Sequence, residues 1–379
     1  MNRIGIITLY DCLNQVDNCT RKIVRELRSY LDYFLVVCNF KLDENDYSFL
    51  SEYSEYIYER ENVGFDGGAI KDALAILLSN EMDCSLENYD ELVIVNDTFF
   101  GFFSSLSPFF DWFSHSDNDF AGLTKNVGQY LWMEKTVPEH IQGYFIAIKH
   151  RMFNAACFAD FWKDFNYPIS STENIFNFEY RFSTFFSANG FKFDGFYDLN
   201  SAGLSTVGDV DYLDHPYELI RYLKWPIFKY KAAWIDLLND SSYKALCMIK
   251  ESYPDDFKDI ITHVRKSGKR MYINQDELMN FCEKKNAVYI YGKGTIGKRV
   301  FLFLKLMGYE FKCFIISGDV DDCDKGDVKN VNDIKLEKNE GIIVGMNRNN
   351  VLEVKKRLDA TFGFDALFYP NQKRDGTND

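Results

Sequence analysis

"ELVIVNDTFFG", residues 91–101, opens as an apolar, β-branched run and ends in Asn96-Asp97-Thr98, followed by two phenylalanines and a glycine. A short continuous apolar run of this kind fits a strand buried on both faces, as in a parallel sheet covered by helices. A carboxylate on such a strand is costly unless it stands where the chain leaves the sheet. In open α/β sheets ligands sit beyond the carboxyl ends of the strands, so Asp97 is a candidate ligand-facing group. A single carboxylate there suits a hard divalent cation, Mg2+ or Mn2+, shared with substrate phosphates, because such ions take oxygen donors and keep part of their shell for phosphate and water. It equally suits a residue that caps a turn or the next helix.

The flanking chain repeats the same alternation. "RIGIITLYD" (3–11), "YFLVVCNF" (33–40) and "EYIYERE" (55–61) read as strands. "NCTRKIVRELRSYLDY" (18–33), with apolar Ile23, Val24, Leu27 and Leu31, and "DGGAIKDALAILLS" (66–79) read as helices. Alternating β and α units predict an α/β sheet with much parallel pairing. Further on, "DFAGLTKN" (119–126) and "HIQGYFIAIKHRMF" (140–153) read as strands carrying polar residues. "NAACFADFWKDF" (154–165) and "NIFNFEYRFSTFFSANG" (174–190) read as helices, the second stopped by Asn189-Gly190. Residues 204–285 are rich in helix and loop signals and form a connecting region after a first domain at 1–203. A third unit, 286–372, starts afresh as strand, glycine loop, helix and strand, and a frayed tail follows at 373–379.

The chain has 379 residues, 43 Lys plus Arg against 57 Asp plus Glu, and a formal net charge of −14. An acidic surface opposes general nucleic-acid binding, which needs a positive field against phosphates. Nine cysteines without metal-like or paired spacing favour a reducing compartment. The start, "MNRIGIITLYD", turns polar too soon for a signal peptide, and no apolar run approaches the ~20 residues that span a bilayer. The expected location is cytoplasmic, with peripheral contact at the inner face of the plasma membrane through "RYLKWPIFKYK" (221–231), where cations interleave with aromatics.

Two other segments carry chemistry. In "RENVGFDGGAIKDAL" (60–74), Asn62, Gly64, Asp66, Gly67 and Gly68 crowd before a helix. Glycines allow close backbone approach to a ligand, helix N-terminal N–H groups favour an anion, and Asp66 suits a sugar hydroxyl or a base N–H. The same residues also make a plain helix entrance. In "YIYGKGTIGKRV" (289–300), Gly292, Gly294 and Gly297 follow a strand and open a helix, and Asp319 stands at the end of the next strand, where a ribose-binding acid is sought. That unit is about half of a two-fold dinucleotide-binding arrangement, and a packing or regulatory role suits it as well.

Taken in order, "ENVGFDGGAIKDAL" (61–74), "YDELVIVNDTFFG" (89–101), "DFAGLT" (119–124), "HIQGYF" (140–145) and "FADFWKDF" (158–165) resemble the rhamnan synthesis protein F family, and "HPYELIRYLKWPIFK" (215–229) resembles that family's downstream segment. The resemblance covers roughly residues 1–235. It implies a fold similar to the GT-A glycosyltransferases and a bacterial sugar transfer in polysaccharide assembly. In this reading the partners are a nucleotide-sugar donor, an oligosaccharide or lipid-linked acceptor, and other assembly enzymes. It places Asn62, Gly64, Asp66, Gly67 and Gly68 on the donor, with Asn96, Asp97 and Thr98 facing the pyrophosphate or metal. His140, Gln142 and Tyr144 line the sugar or acceptor pocket; on one strand these three share a face. GT-A strand ends usually carry two aspartates flanking one residue, whereas Asn96-Asp97 supplies one. By comparison with inverting GT-A enzymes, Glu179, about three turns before Gly190-Phe191, takes the place of the catalytic base, with His140 as the other candidate. Rhamnose from a dTDP-sugar is the expected cargo. A non-catalytic nucleotide-sugar sensor is the alternative, and an NAD-dependent enzyme a third reading that leaves the first 235 residues unexplained.

Overall fold

The computed structural model describes all residues except 80–83, 129, 199–202, 205–211, 320–325 and 372–379. Two compact units form. One comprises residues 1–212 with 218–228; the other begins with 213–217 and resumes at 229. The boundary expected near residue 285 falls inside the second unit. Its helices pack on its own sheet domain before that point: Lys250 Nζ donates to the Leu306 carbonyl at 2.7 Å and the Tyr272 hydroxyl to the Met346 carbonyl at 2.7 Å. The expected tail lies outside the described residues.

The first unit is built on a seven-stranded mixed sheet. Its strands are β1 (Arg3–Leu9), β2 (Tyr33–Cys38), β3 (Tyr56–Glu59), β4 (Glu91–Asn96), β5 (Phe120–Gly122), β6 (Phe145–Lys149) and β7 (Phe193–Gly195), in the order β7-β5-β6-β4-β1-β2-β3. β1 pairs in parallel with β2 and β4, and β6 runs antiparallel between β4 and β5. Every residue of β4 is buried, as its unbroken apolar run requires. Helices α1 (Asn18–Arg28), α2 (Glu44–Tyr53) and α3 (Phe65–Leu78) supply the crossovers between the parallel strands. One core joins Ile4, Ile6, Leu35, Val37, Leu92 and Ile94 to the apolar side of α3 and to the aromatic helices of residues 156–188.

Two expectations change, and two helices form where the sequence reading placed none. The chain forms α2 and the helix Ser107–His115 where the sequence carries no helical signal, because "ENDYSFLSEY" is mostly polar and "SPFFDWFSH" has strand-like aromatic content. The segment 140–153 is not one strand: His140–Ile141 pairs with Lys125–Asn126, the chain turns at Gly143-Tyr144, and β6 follows. The helix expected over 174–190 is composite. Ser171–Asn174 is α-helical, Ile175–Tyr180 is wound as a π-helix, and Arg181–Ala188 is α-helical again.

In the basic-aromatic stretch 221–231, Trp225, Ile227 and Phe228 are fully buried, so the apolar half of the expected membrane-contact segment is core, and Tyr222 is the aromatic left exposed. No helix among the described residues is long and apolar enough to cross a membrane.

The second unit holds a five-stranded, wholly parallel sheet: β8 (Ala287–Tyr291), β9 (Phe311–Ile316), β10 (Val328–Asn330), β11 (Glu340–Val344) and β12 (Leu367–Phe368), in the order β10-β9-β8-β11-β12. The strand order reverses between β8 and β11, the place where doubly wound sheets open a crevice. The Rossmann-like arrangement expected for 286–372 is therefore present.

Candidate functional site

The carboxyl edge of the first sheet carries a row of polar residues. Thr8 lies opposite Asn96 in the β1–β4 register, and Asn39 follows the end of β2. Strand alternation continues the face of Ile4, Ile6, Leu35, Val37, Leu92 and Ile94 through Thr8, Asn39 and Asn96. The three are buried, yet none is apolar. The Thr8 hydroxyl has no hydrogen-bond partner among the described residues, which is costly for a buried hydroxyl unless something else meets it. Beside this row a cleft of about 390 Å³ opens at the ends of β2 and β3, lined among others by Asn14, Asn39, Glu59 and Arg60. Arg60 is fixed by three acceptors: Asp72 (2.8 Å), the Val63 carbonyl (2.6 Å) and Asn39 Oδ1 (2.5 Å).

The helix entrance at 62–68 reaches this row directly. Asn96 Nδ2 donates to Asp66 Oδ2 at 2.9 Å, across thirty residues of chain. Asn96 Oδ1 accepts from the Thr98 hydroxyl at 2.8 Å and from its N–H at 3.2 Å. The other oxygen of Asp66 accepts from Asn174 Nδ2. Gly64, at φ +78°, precedes α3, and Asn62 is exposed before it. The glycines answer a different need from the expected one. A Cβ on Gly64 would come within 2.5 Å of Tyr167, one on Gly67 within 2.7 Å of Phe165 and 2.8 Å of Asn174 Oδ1, and one on Gly68 within 2.6 Å of the Val63 carbonyl. The protein's own residues occupy the space the glycines leave.

Asp97 turns away from its neighbour. Its Oδ2 accepts the Tyr10 N–H at 2.8 Å, tying the end of β4 to the loop after β1. Burial pushes the carboxyl up to about 8; the Tyr10 and Asp97 N–H groups pull it down, and Asp17 and Asp11 push it further up. A carboxyl so placed favours its neutral form near neutral pH. Among the described residues no group of three or more His, Cys, Asp or Glu side chains gathers to hold an ion. Asp97 has one oxygen engaged by the Tyr10 N–H, and no cluster of three or more such side chains joins it to hold the expected Mg2+ or Mn2+ among the described residues.

The segment 140–144 packs along the composite helix. A Cβ on Gly143 would lie 3.0 Å from Glu179 Cγ and from the Phe178 ring. The His140 ring lies 4.5 Å from that of Tyr180, and its Nδ1–H donates to the Pro138 carbonyl at 2.8 Å. Burial lowers the imidazole to about 4, with the Pro138 bond opposing. His140 is therefore neutral and 3% exposed, a poor position from which to meet an acceptor; Glu179 is only half-buried. Gln142 and Tyr144 converge on Thr124, whose hydroxyl donates to Gln142 Oε1 at 2.8 Å and lies 2.5 Å from the Tyr144 hydroxyl. Tyr144 is buried and its phenol is pushed up by that burial, so it braces the fold and does not line an open pocket. The expected shared face of three pocket residues fails because Gly143 lies in a turn.

In the second unit, Gly292 adopts φ +101°. Gly294 caps the helix Thr295–Met307, and a Cβ added to it would meet no atom within 4 Å. A Cβ on Gly297 would stand 2.0 Å from the Gly292 carbonyl oxygen, so that glycine serves close strand–helix packing. Asp319 is exposed just past β9. Nearby, Arg357 donates to the Tyr291 hydroxyl at 2.7 Å, and both bond Ser317.

Sequence reading missed Thr8, Asn39, Arg60 and Asn174. Asn39 repeats the signal of Asn96, a polar residue at the end of an apolar strand. Asn174 has no local signal, since its partners lie 107 and 108 residues away.

The family description "Rhamnan synthesis protein F" matches residues 34–308. No curated protein matches the sequence. Among solved structures, the glycosyltransferase GlyE of Streptococcus pneumoniae TIGR4 is similar at 10% identity and TM-score 0.34, over 95% of this chain and 98% of that one. S. aureus TarS 1-349 is similar at 9% and 0.35, over 75% and 78%. The 4-diphosphocytidyl-2C-methyl-D-erythritol synthase of Anaerococcus prevotii is similar at 13% and 0.33, over 51% and 87%. The family match spans well over half of the chain, and the chain belongs to the rhamnan synthesis protein F family.

Proposed function

We propose that this chain is a glycosyltransferase of polysaccharide synthesis, with a GT-A-like first unit. It moves a sugar, rhamnose in our reading, from a nucleotide-sugar to a growing cell-surface polysaccharide or a lipid-linked oligosaccharide, with inversion. The observation that carries this reading is the Asn96–Asp66 bond of 2.9 Å. It brings the end of β4 and the entrance of α3 to one place at the carboxyl edge of a sheet, beside a buried unpartnered hydroxyl and a cleft.

The donor's nucleoside enters the cleft at the ends of β2 and β3, and its pyrophosphate lies over the tips of β1 and β4. Arg60, which lines the cleft, faces it, and Asn39 and Thr8 back that wall from within. Asp66 is held in place by two amides and accepts a hydroxyl of the donor. Glu179 takes the proton from the acceptor hydroxyl as that oxygen attacks the anomeric carbon. The bond between that carbon and the diphosphate oxygen breaks, and the nucleoside diphosphate leaves with the electron pair. Asp97 acts from behind by fixing the Tyr10 loop against the strand tip.

The test is release of nucleoside diphosphate from dTDP-rhamnose, UDP-glucose and GDP-mannose by the purified chain, with an oligosaccharide acceptor present. We expect turnover with one donor class and a loss of about 100-fold or more in Glu179→Gln, on the scale of general-base contributions. Binding without turnover in the unaltered protein would favour the sensor reading. Full activity in Glu179→Gln would remove that residue from the chemistry.

A further inference from the structure

Asn174 ends the α-helical turn Ser171–Asn174, directly before the π-wound stretch that carries Glu179. It is 7% exposed. Both ends of its amide are engaged with the α3 entrance: Nδ2 donates to Asp66 Oδ1, and Oδ1 accepts the Gly67 N–H at 3.3 Å. The fit is close enough that a Cβ on Gly67 would stand 2.8 Å from Asn174 Oδ1. Asp66 in turn holds Asn96 at the tip of β4. One amide thus joins the donor-side turn to the helix that presents the candidate base.

The winding of that helix supplies a second, independent observation. Along an α-helix, at 3.6 residues per turn, five residues rotate by about 500°, which leaves Glu179 roughly 140° from Asn174. In i→i+5 winding each turn holds more residues, so residues five apart come closer to one face. The π-helix Ile175–Tyr180 therefore turns Glu179 through a smaller angle from Asn174 than α-winding would. It also seats Glu179 against Gly143, the turn that a longer side chain would fill. Single π turns inside α-helices are rare and occur often at functional sites.

We propose that Asn174 is a positioning residue: through its two bonds to Asp66 and Gly67 it locks the register of the π-wound turn, so that donor seating and the placement of Glu179 are set together. This rests on the glycosyltransferase reading for its consequence in activity, while the mechanical coupling stands without it. Asn174 touches neither substrate nor reacting atoms in this scheme.

The polarity of the pair makes a specific test. Asn174→Asp keeps an acceptor for the Gly67 N–H but sets two carboxylates face to face. Adding Asp66→Asn restores all three bonds: the new amide at position 66 would accept from Asn96 and donate to the new carboxylate at position 174. The first readout is amide hydrogen exchange in the nucleotide-free protein, which needs no substrate. In Asn174→Asp we expect exchange to rise tenfold or more at both 64–68 and 175–180, with β1 and β4 unchanged, and to return within about threefold in the double variant. The second readout is turnover of dTDP-rhamnose, which falls tenfold or more in Asn174→Asp and recovers in part in the swap.

Faster exchange at 64–68 alone, or a swap that restores neither segment, overturns the proposal. If Asn174→Asp does not fold, a folded swap supports the coupling and an unfolded one overturns it. A wild-type protein inert toward every donor sinks the glycosyltransferase reading but leaves the exchange result to decide the coupling.

Discussion

The chain contains two glycine-rich entrances to helices, and they obey different physics. At Gly64–Gly68 the missing side chains make room for Tyr167, Phe165 and Asn174 from a distant segment. At Gly292–Gly297 the missing side chains let one backbone lie on another: a Cβ on Gly297 would meet the Gly292 carbonyl and one on Gly345 would stand 2.7 Å from the Gly297 Cα, while one on Gly294 would meet open space. The first entrance is joined to a polar strand tip by Asn96–Asp66. In the second, the acid expected to play the matching part, Asp319, stands exposed. Two similar runs of residues thus mark a buried polar junction in one unit and a strand–helix contact in the other.

The largest effect that separates them is expected at Gly297. Alanine there meets a backbone oxygen at 2.0 Å, which cannot rotate away, so Gly297→Ala should cost about 4 kcal/mol, toward the upper end for overpacking. Denaturant unfolding followed by a probe in the second unit reads it. A loss under about 1 kcal/mol would show that the two backbones are not in contact.

Asp97 gives the next effect, as a pH dependence. Its folded pKa, about 8, lies above the ordinary value of 3.8, so the native state binds the proton more tightly than the unfolded chain. Its contribution to stability is complete below about pH 4 and is lost as pH rises toward 8. Relative to Asp97→Asn, the wild-type protein should lose on the order of 3 kcal/mol across that window, less than the full shift would imply. Parallel stability curves for the two proteins would mean that Asp97 is solvated and ionised in the fold.

Gly64→Ala should cost about 2 kcal/mol, from left-handed strain and the Tyr167 contact together. Because the obstacle is a side chain, Gly64→Ala with Tyr167→Ala should recover roughly half, leaving the strain of φ +78°. No recovery would mean that backbone, as at Gly297, sets the limit. Smallest of all, Gly294→Ala should change stability by no more than about 0.5 kcal/mol, since nothing stands within 4 Å and its φ is negative. If NAD or a nucleotide stabilises the second unit and this variant abolishes the effect at unchanged stability, the open loop is a ligand site after all.

Much of the fold is legible in the chain itself. The run "ELVIV" announces a doubly buried strand, and its polar end announces a sheet edge. The β–α alternation to residue 98 and the glycine loop after β8 follow the same logic. The helix "ENDYSFLSEY" is hidden because only Asp46, Phe49 and Leu50 are buried in it, too few for a periodic stripe. The π-wound turn is hidden because winding is settled by long-range contacts such as Asn174–Asp66, not by the local residues "IFNFEY". The His140–Tyr144 face misleads because Gly143 passes for a strand residue, when the chain turns there and Glu179 and Phe178 take the place a side chain would need. Asn96 and Asp66 are each legible, but their bond, formed through a fold, is not.

The central claim is that the Asp66–Asn96 junction seats a nucleotide-sugar. Titration calorimetry with dTDP-rhamnose, UDP-glucose and GDP-mannose, on the wild-type chain and on Asp66→Ala, tests it most directly. We expect saturable binding of one of these donors by the wild type and at least tenfold weaker binding by the variant, with both proteins folded. Equal affinity in the two proteins, or donor binding that disappears only when Gly294 is altered, would contradict it.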